Sequence, residues 1–114
     1  MANISVDENK LDEVLDRALR KIVVEYQPEK VIIFGSYAYG EPDSDSDLDV
    51  LIIKKTDERP IDRRIAIRTL LRPLKLRPVV SPIVITQDEI DERLAMGDPF
   101  AKDLIERGRV VYER

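Results

Sequence analysis

The 114-residue chain contains neither cysteine nor histidine. Without thiols it can form no disulfide, no thiolate metal site and no cysteine nucleophile. Without imidazole it has no histidine base and no His-ligated zinc. Carboxylates are the charged groups left to hold a metal ion, and oxygen ligands of that kind suit hard divalent cations. Tryptophan is absent and aromatic residues make up only 5%, too few for the stacking platforms that grip single-stranded nucleic acid. No apolar stretch approaches the ~20 residues of a membrane span. The opening Met1-Ala2-Asn3-Ile4-Ser5 lacks the charged and apolar regions of a secretory signal. A cytoplasmic protein is therefore expected, built as one domain over residues 1–114, a length that buries a single core.

Charge is plentiful, at 37% of residues, and its net value of −4 hides an uneven distribution. Glu41 to Asp49 holds five acids and no base, whereas Lys54 to Arg77 holds nine bases against three acids. Within the basic stretch a helix is expected over 59–72, and Arg64, Arg68 and Arg72 share one face of it at spacing four. That face is either solvated or turned toward a nucleic-acid backbone, a triphosphate or an acidic partner. The acidic net balance makes a dedicated nucleic-acid binder unlikely.

The most specific stretch runs from Val31 to Ile53. Val31-Ile32-Ile33-Phe34 is a short apolar run with the character of a buried strand, and Gly35-Ser36 stands at its end. Glycine there permits close approach of backbone N–H groups to a ligand, and a helix starting at Ser36 would turn free N–H groups and its positive dipole end toward phosphate. The Ser36 hydroxyl adds a donor. Ten residues on, Asp47-Leu48-Asp49-Val50-Leu51-Ile52-Ile53 begins with alternation and ends as a continuous apolar run, as a central strand covered on both faces does. Alternation puts Asp47 and Asp49 on one face. Paired carboxylates repel and raise each other's pKa unless a cation lies between them, and Mg²⁺ or Mn²⁺ fits that demand. A phosphate cradle facing a metal site implies a nucleoside triphosphate.

Around this stretch the pattern is one of scaffold. Ser5 with Glu8 reads as a capping box. It opens an amphipathic helix whose stripe is Leu11, Val14, Leu15, Ala18, Leu19, Ile22, Val23 and Tyr26, ended by Gln27-Pro28. In the 59–72 helix Ile61, Ile65, Leu70 and Leu71 are available to the core. A strand follows over 79–85, restricted by Pro82 to an edge or a bulge. Thr86-Gln87-Asp88-Glu89 reads as a capping box opening a helix over 87–96, which assigns Glu89 a structural role. Asp98-Pro99 caps a further helix that Gly108 closes, and Val110-Val111-Tyr112 adds a short strand. The order αβαβαβααβ fits an α+β domain, a mixed sheet packed with about four helices.

Gly35, Ser36, Asp47 and Asp49 match in type and spacing the Gly-Ser, ten residues, Asp-x-Asp motif, and the chain resembles the nucleotidyltransferases of the DNA polymerase beta superfamily. It is most similar to the minimal nucleotidyltransferases that accompany HEPN proteins in toxin–antitoxin pairs. The resemblance implies the nucleotidyltransferase fold, binding of a metal-bound triphosphate such as Mg-ATP, and transfer of a nucleoside monophosphate to a hydroxyl of a HEPN-type partner. Asp47 and Asp49 would be catalytic metal ligands, and Gly35 and Ser36 would position the nucleotide. Two departures stand out. Family members usually carry a third carboxylate on a later strand, where this chain has Ser81 or Pro82, and many carry arginine where Tyr37 stands. A catalytically inactive nucleotide-binding protein or antitoxin that works by covering its partner is the alternative.

Overall fold

The computed structural model describes residues 8–40 and 45–114. Helix α1 (Glu8–Tyr26) leads into strand β1 (Lys30–Phe34), a one-turn helix α2 (Ser36–Tyr39) and strand β2 (Leu48–Ile53). Helix α3 (Pro60–Leu71) continues into a 3-10 turn (Arg72–Leu74), strand β3 (Val80–Ile85), helices α4 (Gln87–Ala95) and α5 (Pro99–Arg107), and strand β4 (Arg109–Glu113). The element order expected from the sequence is the one observed, with α2 included. The Ser5–Glu8 capping box, the side chain of Leu11 and the acidic segment 41–44 lie outside the described residues.

The four strands form one mixed sheet in the order β3-β2-β1-β4. Strand β1 is antiparallel to both β2 and β4, and β2 is parallel to β3. The continuous apolar run in β2 is explained by this topology. β2 is interior, and its alternate residues enter two separate cores. Val50 and Ile52 pack with Ala18 and Ile22 of α1 and Ile67 of α3. Leu51 and Ile53 pack with Ile32, Phe34, Ile90 of α4 and Leu104 of α5. β3 is an edge strand, where the missing N–H of Pro82 is tolerated.

Several boundaries have identifiable causes. Gln27 adopts φ 54° at the end of α1, and its N–H donates to Val23 O at 3.2 Å before Pro28 stops the helix. Asp98 caps α5 by accepting from Phe100 N at 2.9 Å. Gly108 ends α5 as expected but in extended conformation, φ −68° and ψ 151°. Its requirement is steric, since a Cβ there would overlap Leu104 O and approach Ile32 Cγ2 to 2.6 Å.

The facing of α3 corrects the sequence reading. Ile61 and Ile65, expected in the core, are 56% and 53% exposed. The buried positions are Arg63, Ile67 and Leu71, a spacing of four that turns Ile61 and Ile65 away from the sheet. Arg63 can occupy the interior because its donors are satisfied. Nε donates to Glu58 O at 2.7 Å, and Nη1 donates to Glu89 Oε1 at 2.7 Å and to Val84 O at 3.4 Å. Glu89 also completes the expected capping box. It accepts from Thr86 N at 2.7 Å, while its own N–H donates to Thr86 Oγ1 at 3.1 Å.

One guanidinium thus joins α3, β3 and α4, and Arg63→Ala should lower stability by about 3 kcal/mol in urea unfolding, the range for breaking a buried ion pair. The hydrogen bond from Arg63 is the main reason the Glu89 carboxyl lies below its ordinary value of 4.5. A depressed carboxyl contributes stability above the ordinary range and loses it as pH falls through the lower folded value. The stability gap between the parent and Glu89→Gln should therefore be open at neutral pH and close in acid. A gap that stays constant to about pH 2 would mean that the carboxylate charge is not what Arg63 responds to.

Candidate functional site

The antiparallel register sets Phe34 of β1 opposite Asp49 of β2, so Gly35 emerges directly beside the Asp49 side chain. Gly35 adopts φ 74° and ψ −159°, a region essentially restricted to glycine. A Cβ on it would overlap Asp49 Oδ2 and lie 3.1 Å from Asp49 Cγ. Expected from the sequence as a place for a ligand to approach the backbone, Gly35 is first of all the space that the Asp49 carboxylate occupies.

Ser36 opens α2, where Gly35 O accepts from Ala38 N at 3.0 Å and Tyr39 N at 3.1 Å. The N–H groups at the start of such a turn have no acceptor within it. Gly40 (φ 80°) closes the turn by donating to Ser36 O. Two tyrosines fix this short element in place. Tyr37 Oη donates to Ser46 O at 3.3 Å, tying α2 to the segment that leads into Asp47. Tyr39 Oη donates to Asp103 Oδ2 at 2.8 Å, and the Arg107 guanidinium lies 3.8 Å from the Tyr39 ring centroid, tying α2 to α5. Burial, then the bond to Asp103, raises the Tyr39 hydroxyl above its ordinary value, so it remains a donor. These braces were not anticipated from the sequence. The available signal was the replacement of the usual arginine by Tyr37, which in this fold serves as a strut.

Asp47 is exposed and precedes β2, while Asp49 is partly buried as its second residue. Burial first, and then the charge of Asp47, raise the Asp49 carboxyl above its ordinary value. A half-buried carboxylate disfavoured as an anion beside a second, exposed carboxylate fits a divalent cation, which relieves both penalties.

The parallel register pairs Asp49 with Ser81 and Val50 with Pro82. Paired residues share a face, so Ser81 stands on the face of Asp49, whereas Pro82 is buried on the opposite one. Of the two positions where the resemblance implies a third carboxylate, Ser81 is thus the one on the Asp49 face. Asp88 and Glu89 do not replace it. They follow the far end of β3, roughly 16 Å along the strand from Ser81, and Glu89 is held by Arg63 and Thr86. Among the described residues no group of three acids converges.

Two consequences can be measured on the isolated protein. Gly35→Ala should destabilise by about 1–3 kcal/mol from backbone strain alone. Pairing it with Asp49→Ala should recover the part due to overlap and leave the backbone part, as a double-mutant cycle in urea would resolve. For Asp49 the raised pKa gives the opposite sign to Glu89. Its ionisation costs folded stability as pH rises from its ordinary 3.8 through the higher folded value. Asp49→Asn in EDTA should accordingly be more stable than the parent at neutral pH and no more stable in strong acid.

Comparison with known proteins bears on the fold and the family. A 1.40 Å crystal structure of a protein described as a "putative nucleotidyltransferase" from Sulfolobus solfataricus superposes with a TM-score of 0.65 at 21% identity, covering 94% of this chain and 86% of that one, a likeness of fold. Two proteins of Methanocaldococcus jannaschii, each described as a "putative protein adenylyltransferase", are similar in sequence. One is 29% identical over 112 residues, covering 96% of this chain and 76% of the relative. The other is 34% identical over 84 residues, covering 74% and 78% respectively. Residues 16–112 match the nucleotidyltransferase domain family, a span that contains the Gly35-Ser36 turn and both aspartates, and the chain belongs to that family.

Proposed function

We propose that the chain binds a metal-bound nucleoside triphosphate, ATP with Mg²⁺ or Mn²⁺, and transfers its nucleoside monophosphate to a hydroxyl of a partner protein. The observation that carries this reading is the contact between Gly35 and Asp49, which sets a metal-competent carboxylate pair beside the turn that begins at Ser36. The relatives described as protein adenylyltransferases support adenylyl as the group and protein as the acceptor. The family resemblance points to a HEPN-type protein as that partner.

Asp47 and Asp49 would hold the metal. A bound divalent ion supplies charge neutralisation on the phosphates and on the departing oxygen. Ser36 and the N–H groups opening α2 orient the triphosphate. The sheet register fixes the Asp49 backbone, and the bare Gly35 leaves room for its carboxylate. Transfer forms a bond from the acceptor oxygen to the α-phosphorus and breaks the bond to pyrophosphate. With Ser81 where a carboxylate would take up the acceptor's proton, that proton goes to solvent. Ser81 therefore also favours a second reading, in which the protein binds nucleotide and partner with little or no turnover.

Titration calorimetry and labelled ATP separate these readings. Asp47→Asn and Asp49→Asn should each lose Mg-ATP binding, and Ser36→Ala should weaken it by one to two decades, as expected for a hydrogen bond to a charged group worth about 1.5–3 kcal/mol. Parent-like titrations for both aspartate variants would place the metal elsewhere. Ser81→Asp should raise AMP transfer to a co-expressed partner by roughly two decades, the lower end of what a positioned proton acceptor contributes. No gain, with Mg-ATP binding intact, would mean that Ser81 is not the vacant carboxylate position.

A further inference from the structure

The basic stretch between Lys54 and Arg77 takes no part in the carboxylate site, yet the fold gathers its later half into one place. Where α3 passes through the 3-10 turn into β3, a cleft of about 320 Å³ is lined by Arg68, Arg72, Lys75 and Arg77, with no acid among its lining residues. All four bases are exposed. None forms an ion pair among the described residues, and the bond recorded for Arg77 runs to its neighbour's carbonyl, Leu76 O, at 3.1 Å. This separates them from Arg59, Arg63, Arg93 and Arg107, each of which meets a carboxylate. The floor is aliphatic, formed by Leu71, Leu76 and Val80, with Val79 half exposed at the rim.

The cleft opens at the start of β3, next to the strand that carries the aspartates, with Val80 of its floor on the face opposite Asp49. Leu48, the residue between Asp47 and Asp49, donates its N–H to Val79 O at 2.8 Å and stands in register with Val80. The rim of the cleft is therefore hydrogen-bonded to the strand that carries the aspartates.

We propose that this cleft docks an acidic segment of the acceptor protein, with carboxylates on the four bases and an aliphatic side chain on the floor, from which the acceptor chain passes round the edge strand β3 to bring its hydroxyl to Asp47 and Asp49. The proposal rests on the transferase reading and specifies the chemistry of its partner. Unpaired bases around an apolar floor complement a peptide carrying acids and an aliphatic residue together. Nucleic acid fits less well, because no aromatic ring lines the cleft for a base to stack on and the chain's net charge is −4.

The test is fluorescence anisotropy with a labelled peptide of glutamates interspersed with leucine, run beside Mg-ATP calorimetry. The parent should bind the peptide in a salt-dependent manner. Arg72→Gln combined with Lys75→Gln, both at exposed positions, should weaken the peptide about tenfold or more and leave Mg-ATP binding unchanged. Arg109→Gln, a control on β4 at the opposite edge of the sheet, should do neither. Asp49→Asn should show the reverse pattern, losing Mg-ATP and keeping the peptide. Equal peptide binding by parent and double variant overturns the proposal. So does loss of Mg-ATP in the double variant, which would assign the cleft to the triphosphate, and so does preferential binding of tripolyphosphate or an unstructured oligoribonucleotide over the peptide. If the parent binds no Mg-ATP, the transferase reading fails on that arm, while the peptide arm still decides what the cleft accepts.

Discussion

A single steric relation organises the site: the Asp49 carboxylate occupies the volume that any side chain at Gly35 would need. Because Gly35 follows directly on Phe34, which pairs with Asp49 across neighbouring antiparallel strands, the sheet register brings the two residues together. Other features follow from it. A residue held at φ 74° and ψ −159° directs the chain out of β1 into the one-turn α2. That turn is too short to hold itself by helical hydrogen bonds, so it is anchored from outside, by Tyr37 to Ser46 and by Tyr39 to Asp103.

Strand β3 has two ends with different duties. At its start Ser81 lies in register with Asp49, and at its finish Thr86 and Glu89 cap α4 around the guanidinium of Arg63. Glu89, which follows this strand, is thus committed at the structural end. A half-exposed glutamate that already neutralises a buried arginine could leave that role only by exposing an unpaired interior charge. At the other end of the strand Ser81 presents a hydroxyl on the face of Asp49.

Much of this was legible in the chain itself. The apolar run in β2 predicted an interior strand, Pro82 predicted an edge, and Thr86 with Glu89 predicted a capping box, because each depends on local chemistry with few alternatives. The facing of α3 was not legible. Its isoleucines at 61 and 65 look like core residues, and the reason they are not is a buried arginine whose acceptors, Glu58 O, Val84 O and Glu89, come from three separate parts of the fold. At the site, the strand ends that bring Gly35 and Asp49 together could be read from the apolar runs on either side. The overlap that makes Gly35 obligatory could not, since it depends on which residue of β2 stands beside it.

The aspartate at this centre grows from the most deeply enclosed strand of the molecule, with Val50, Leu51, Ile52 and Ile53 all nearly inaccessible behind it. Amides in such a strand exchange with solvent only when the whole sheet opens. Local breathing therefore cannot reshape the carboxylate's surroundings. The braces from Tyr37 and Tyr39 hold the facing α2 turn as well, so the carboxylate stands on a rigid wall opposite an anchored one.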